Sequence, residues 1–183
     1  MSFFKMPKMP EPPPQPARPE WAGPPHGVLP GHSGQRAVLV RTDEAIMYAD
    51  DFRAYPNGLE FAITVLIRQP ELGHGPPPFE MHGPRPGLSN DDLVRFGVQF
   101  ADGSKWTNLD PHPYGPRSQD GFAGPVVMSQ GGGGGDAHWR MRYWMWPLPE
   151  APQMTFVVSW PAQDRRSDRR CRHDAAPPGR RGR

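Results

Sequence analysis

Hydrophobic and polar residues alternate with a period of two in several short stretches of the chain. The clearest stretch begins at Leu59, and its apolar residues fall on one face while Glu60 and Thr64 fall on the other. An alternation of this kind is typical of a half-buried β-strand. Shorter stretches have the same character, and together they predict seven or eight strands: 36–42, 44–52, 59–68, 93–101, 105–107, 125–129, 138–146 and 154–160.

Turn-forming residues separate the predicted strands, and no stretch shows the 3.6-residue periodicity of an amphipathic helix. Asn57-Gly58 and Asp102-Gly103 are dipeptides that favour the positive φ angles of tight hairpins. Short strands joined by turns predict an all-β fold, here an antiparallel β-sandwich whose two sheets pack face to face. A flattened β-barrel is the alternative.

The alternating stretches occupy residues 36–161, which we predict to form a single β-sandwich domain. The preceding segment, 1–35, is rich in Pro and Gly. Because each Pro fixes φ and removes a hydrogen-bond donor, we expect an irregular, extended arm with polyproline II character. This arm either lies on the domain or is solvated, and Trp21 is the residue expected to anchor its C-terminal end.

Proline and glycine also mark the long connections between strands. The chain of 183 residues contains 27 Pro and 21 Gly, a proportion near that of low-complexity segments. Residues 69–92 and 108–124 carry no periodicity and are predicted to be loops. Gly131–Gly135 is predicted to be a flexible hairpin connection, because a phosphate-binding loop would need a following Lys and Ser or Thr.

The C-terminal residues, 162–183, differ from the rest of the chain in charge and in amino-acid usage. Residues 163–183 contain eight Arg and three Asp, which gives them a net charge of +5. Because the whole chain has a net charge of +2, the other 162 residues carry −3. No Leu, Ile, Val, Phe, Met, Trp or Tyr follows Ala162, so we predict a disordered Arg-rich tail. The tail is either the product of a shifted reading frame or a basic segment that binds nucleic acid or an acidic surface.

Composition excludes several classes of protein. No apolar run approaches the about 18 residues of a transmembrane helix. The single Cys excludes a disulfide framework and a Cys-rich zinc site. The N-terminal sequence lacks the apolar core of a secretory signal, and together with the single Cys this predicts a cytoplasmic location.

Several segments are distinctive in combination, namely WAGPPHGVLPG, RTDEAIMYADDFRAYPNGLEFAITV, LVRFGVQFADGSKWTN, the polyglycine run, YWMWPLP and MTFVVSWPA. Together they resemble an uncharacterised family of small actinobacterial proteins, and the resemblance covers about residues 1–162. It implies a cytoplasmic setting and a GC-rich source, and it implies no activity, ligand or catalytic residue. The tail departs from the family pattern, which continues with Gly-Ile-Pro, a charged strand and a short helix, and this departure motivates the hypothesis of a shifted frame.

Histidine and acidic residues are the first candidates for a metal or catalytic site. His74, Glu80 and His82 lie in the long loop, but their spacing matches no zinc template, so we predict solvated side chains and no metal or cofactor. Ser33 has His32 beside it, but adjacent side chains of an extended segment point apart. Acidic pairs are candidates for calcium ligands or for the acid and base of a glycosidase, and turn-forming roles explain them equally well. These pairs are Asp43-Glu44, Asp50-Asp51 and Asp91-Asp92.

The predicted strand 138–146 contributes the candidate binding residues. Arg140, Arg142, Trp144 and Trp146 alternate along it and are expected to share one face. If exposed, they would form a stacking surface for a sugar, a nucleobase or an aromatic side chain of a partner. If buried, the two Trp side chains would pack across strands, with the Arg stems covering them.

We therefore predict a non-enzymatic interaction or ligand-binding module with an all-β fold. One alternative is a hydrolase or metal-dependent enzyme that uses Asp, Glu and His side chains of the loops. A second alternative is binding of nucleic acid or an acidic surface through the Arg-rich tail. The sequence does not identify a partner: a protein is one possible partner, nucleic acid is not expected except through the tail, and a membrane is not expected.

Overall fold

The computed structural model describes residues 18–68, 93–110, 125–135, 137–149, 153–161 and 169–174. These ranges contain ten strands and one 3-10 turn, Glu20–Ala22, and none of their helical segments has the length and apolarity to cross a membrane. Residues 1–17 of the predicted arm and the predicted loop 69–92 lie outside the described residues. The strands are β1 (Gly31–Ser33), β2 (Ala37–Arg41), β3 (Ala45–Tyr55), β4 (Gly58–Ile67), β5 (Arg95–Gln99), β6 (Lys105–Thr107), β7 (Val126–Gly135), β8 (His138–Trp146), β9 (Gln153–Ser159) and β10 (Arg169–Asp174).

The strands form two antiparallel sheets. Sheet A has six strands in the order β1-β3-β4-β8-β7, and β2 also pairs with β3. Sheet B has four strands in the order β10-β9-β5-β6. The predicted all-β class and the β-sandwich are confirmed, and in the described part of the chain the strands do not close into the alternative barrel.

The hydrophobic core lies between the two sheets. Phe61 on β4 stacks on Tyr143 of β8 at 5.5 Å between ring centroids, and its edge meets Phe156 of β9 at 5.6 Å. Phe61 therefore joins sheet A to sheet B through aromatic contact. Other large side chains that are fully buried in this core are Leu39, Met47, Phe52, Ile63, Val65, Met145 and Met154.

A β-bulge in β3 decides which face the acidic pair occupies. The register with β4 shifts between Asp50 and Arg53, and Asp51 adopts a left-handed φ of 56°. Because the bulge adds one residue, Ala49 and Phe52 both face the core, while Asp50 and Asp51 both lie on the outer face. The strand extends to Tyr55, three residues beyond the predicted end at Phe52.

The left-handed conformation of Asp51 gives a direct test of this bulge. We expect Asp51→Val to lower the free energy of unfolding by about 1–2 kcal/mol more than Asp51→Asn, because a β-branched residue is strained at positive φ and Asn is not. Both substitutions remove the same charge, so urea denaturation of the two variants isolates the backbone effect. Equal losses would show that Asp51 does not hold a left-handed conformation.

The polyglycine run is a strand and not the hairpin connection that its composition predicts. Gly131–Gly135 forms the second half of β7 and pairs with Arg142 to His138 of β8. Gly131 has a positive φ of 101° at the register shift after Ser129. The backbone groups facing β8 are satisfied by the ladder, so the segment is ordered by pairing and needs no side chains.

The predicted disordered tail differs from the structure at residues 169–174. These residues form β10, which pairs antiparallel with β9 from Arg169 opposite Val158 to Asp174 opposite Gln153. The sequence pattern does not predict this strand because its pairing is made by main-chain groups, which the hydrophobic pattern does not report. Residues 162–168 and 175–183 of the tail lie outside the described residues.

Candidate functional site

The four candidate residues of β8 share the outer face of sheet A, as the alternation predicts. The register places Arg140 opposite Thr64 and Trp144 opposite Glu60 on β4. The two Arg and the two Trp side chains differ in their exposure to solvent. Arg142 is exposed and Arg140 half-buried, whereas Trp144 is completely buried and Trp146 half-buried.

Trp144 belongs to a small second core that the arm covers. It packs with Val126 and Met128, and Trp21 of the arm closes the cluster. Its indole Nε1–H donates to the carbonyl oxygen of Trp21 at 2.9 Å. The packing alternative therefore applies to Trp144, which presents no open stacking surface while the arm is in place.

Tyr55 forms the side of this second core. Its ring meets the edge of Trp144 at 5.8 Å, and its hydroxyl donates to Glu60 at 3.0 Å. Burial raises the pKa of Tyr55, and the hydrogen bond to the Glu60 carboxylate raises it further. Tyr55 is therefore held as the neutral hydrogen-bond donor next to Trp144.

Arg140, Arg53 and the acidic pair Asp50-Asp51 form an ion-pair network. The Arg140 guanidinium donates to Asp50 at 2.9 Å, to the buried hydroxyl of Thr64 at 2.9 Å, and to Asp51 at 3.4 Å. Asp51 also accepts from Arg53 at 3.0 Å. A calcium ion or a sugar would have to displace these arginine side chains from Asp50 and Asp51. The ion pairs therefore give the two carboxylates a structural role.

The remaining candidates for metal or nucleophilic chemistry do not converge. In the described ranges no three His, Cys, Asp or Glu side chains come together in a way that could hold a metal ion. His74, Glu80 and His82 lie outside those ranges, as do Asp91 and Asp92. The Ser33 hydroxyl accepts from the Gln35 amide at 3.3 Å, and His32 contacts Asp51 at 3.3 Å.

A cleft on the outer face of sheet B was not anticipated from the sequence. It has a volume of about 280 Å³ and lies over β5, between β6 and β9. Gly97 is its floor, because this residue lies between Val157 on β9 and Thr107 on β6 and leaves a gap in the layer of outer side chains. A Cβ at Gly97 would lie 2.5 Å from the carbonyl oxygen of Trp106. The close approach of β5 and β6 therefore requires a glycine here.

The two ends of the cleft carry polar and cationic side chains. Arg95 and Ser159 face each other at one end, and Gln99 and Lys105 at the other. Apolar contact comes from Val157 and from Leu109, which is 52% exposed. None of the lining residues in the described ranges is acidic. The combination suits an anionic group attached to a small apolar body.

Asn108 holds the open rim of the cleft in position. Its Oδ1 accepts from the amide of Phe96 at 2.9 Å, and its Nδ2 donates to the carbonyl of Val94 at 2.7 Å. The Asn108 side chain thus makes the hydrogen bonds to the β5 main chain that a neighbouring strand would otherwise make. Asp110 fixes the same turn, because its carboxylate accepts from the Thr107 amide at 2.7 Å. These bonds make the cleft largely preformed.

One signal in the sequence pointed towards the cleft. Gly97 interrupts the outer positions of an otherwise regular strand, and a glycine inside a strand often marks a close approach of backbone. The neighbouring cation, Lys105, is not adjacent in sequence and comes from another strand. Only the pairing of β5 with β6 places Lys105 on the same face of the sheet as Gly97.

Comparisons of the chain with models of protein families, with characterised proteins and with solved structures return no match. The resemblance to the actinobacterial family therefore stays a prediction, and the function has to be argued from the geometry.

Proposed function

We propose that the protein is a non-enzymatic binding module whose ligand occupies the cleft over Gly97 on sheet B. The observation that supports this proposal is a preformed cavity of about 280 Å³ with cations from two different strands and an apolar wall. Binding sites for small ligands are commonly concave, partly apolar and furnished with a few convergent polar groups. The cytoplasmic setting predicted from the single Cys belongs to the same proposal.

The lining defines the class of ligand. Lys105 and Arg95 attract a carboxylate, sulfonate or phosphate group, while Gln99 and Ser159 offer neutral hydrogen bonds. The volume of about 280 Å³ lies just below the common range of ligand pockets, which begins at about 300 Å³, so the cleft suits a small ligand. Among the described residues the lining has no carboxylate or imidazole, and this favours binding over the general acid-base chemistry of the hydrolase alternative.

The proposal is tested with an anionic aromatic probe, 8-anilinonaphthalene-1-sulfonate, whose fluorescence rises in an apolar site. We expect the probe to bind the native chain, and Lys105→Glu to raise its dissociation constant about tenfold, since reversing one charge near the sulfonate replaces attraction by repulsion. Arg41→Glu is the matched control, because Arg41 is exposed on β2 of the other sheet and the net charge changes equally. Equal effects of the two substitutions would contradict the proposal.

A further inference from the structure

The described hydrogen bonds from the domain to residues 18–25 of the arm are of one kind. Trp144 donates to the Trp21 carbonyl at 2.9 Å. The Asn57 Nδ2 donates to the carbonyl of Glu20 at 2.9 Å and to that of Gly23 at 3.4 Å. Each of these three bonds runs from a side chain of the domain to a main-chain carbonyl of the arm.

The described hydrogen bonds from the domain to the arm use donors alone, and this suits a segment with few amide hydrogens better than an added β-strand. A strand added to a sheet edge presents alternating amide and carbonyl groups, whereas proline has a carbonyl and no amide hydrogen. Pro19 enters the site with φ −60° and ψ 147°, which is polyproline II geometry. Pro24 and Pro25 are half-buried after the turn. The accepting carbonyls belong to Glu20, Trp21 and Gly23, and prolines flank these residues on both sides.

The apolar contacts are made by aromatic rings, as in known recognition of proline-rich segments. Trp21 lies against the cluster of Val126, Met128 and Trp144, with Tyr55 and Trp146 at its border. Gly58 makes room for this arrangement, since a Cβ there would overlap the six-membered ring of Trp144. We call the set Tyr55, Asn57, Val126, Trp144 and Trp146 the arm-binding surface.

The link between the arm and β1 makes release possible without unfolding the sandwich. Residues 26–29 are all exposed, and Leu29 has 93% of its surface open to solvent. Gly27 has a positive φ of 71°, so the link contains a conformationally permissive point. The described contacts that hold residues 18–25 of the arm include one cluster and three hydrogen bonds.

From this geometry we propose that the arm-binding surface is a recognition site for a proline-flanked Trp segment of a partner protein. The chain's own residues 18–25 occupy the site in the absence of the partner. The short link gives the arm an effective concentration in the millimolar range at its site. A partner segment therefore competes with the arm and binds only when it displaces it. This inference is independent of the cleft on sheet B, which lies on the other sheet.

The test is the binding of a labelled peptide of residues 16–25 to the full chain, followed by fluorescence anisotropy. We expect Trp21→Ala to bind the peptide at least tenfold more tightly than the native chain, because the cis competitor has lost its anchor. Adding Asn57→Ala to this variant should raise the dissociation constant of the peptide about tenfold, since two hydrogen bonds are lost. Leu29→Ala is the control and should behave as the native chain, because its side chain is exposed.

Two outcomes would overturn the proposal. One is a folded Trp21→Ala chain, judged by its circular dichroism, that binds the peptide no better than the native chain does. The other is a concentration-dependent dimer of the native chain that the peptide fails to dissociate, which would assign the surface to the arm of a second copy.

A second variant keeps the test decisive if Trp21→Ala does not fold. A protease site inserted between Gly27 and Val28 allows the arm to be cut after folding, with Trp21 still in place. We expect the labelled peptide to exchange with the cut arm on the native domain. A cut chain that keeps its arm against excess peptide, or that loses it without taking up the peptide, would contradict a recognition site.

Discussion

Phe61→Ala should lower the free energy of unfolding by about 3–5 kcal/mol, the largest effect expected of any single substitution considered. Phe61 is 1% exposed and contacts rings on three other strands, namely Phe52 at 6.2 Å, Tyr143 at 5.5 Å and Phe156 at 5.6 Å. Its removal leaves a cavity between the two sheets that neither sheet can fill without moving. Urea denaturation followed by tryptophan fluorescence measures the change.

The contact between the sheets is tested more specifically by a double-mutant cycle of Phe61 and Phe156. Because the two rings come from different sheets and meet edge to face, we expect a coupling energy of about 0.5–1.5 kcal/mol. Leu29→Ala, at an exposed position, serves as control and should change stability by less than about 0.5 kcal/mol. A coupling energy of zero would show that β4 and β9 do not face each other across the core.

Replacing alternate glycines of the polyglycine strand should give opposite results in two variants of identical composition. We expect Gly132→Ala with Gly134→Ala to lower the free energy of unfolding by about 2–6 kcal/mol, because overpacking typically costs about 1–3 kcal/mol at each site. A Cβ at Gly132 would lie 2.9 Å from the Met141 Cα, and one at Gly134 would lie 2.8 Å from the Trp139 Cα. Both would also overlap carbonyl oxygens of β8.

The matched control is Gly133→Ala with Gly135→Ala. No atom lies within 4 Å of a Cβ at either position, so these methyl groups point into open space. Alanine also restricts the unfolded chain at each of the two sites, and the control should stabilise the protein by about 1–2 kcal/mol. Thermal unfolding measures the difference: the melting temperature should fall in the first variant and rise in the control. Equal behaviour of the two pairs would mean that Gly131–Gly135 is a flexible connection, as its composition alone predicts.

The hydrophobic pattern predicts the sandwich well because the inner face of each sheet is uniformly apolar. The alternation from Leu59 onwards appears unchanged in β4, and Ile46, Tyr48 and Asp50 share the outer face of β3 as expected. A phase change is also visible in the sequence, since the apolar positions step from Ala49 to Phe52. That step is the bulge at Asp51.

The features that escaped prediction depend on main-chain pairing or on contacts between distant strands. The polyglycine run and β10 are strands because their backbone groups pair, and a pattern of side chains does not report this. Trp144 alternates like an exposed residue, yet it is buried because Trp21 of the arm lies over it. The cleft exists because the register of β5 and β6 places Thr107 beside Gly97 and Lys105 beside Gln99.

The most direct test of the proposed function is a nuclear magnetic resonance titration of the native chain with 8-anilinonaphthalene-1-sulfonate. Binding in the cleft predicts that the largest backbone amide shifts occur at Gly97, Thr107 and Val157, which come from three neighbouring strands of sheet B. Residues of β8 on the outer face of sheet A should shift little. Shifts concentrated on β8, or spread evenly over the molecule, would contradict a binding site over Gly97.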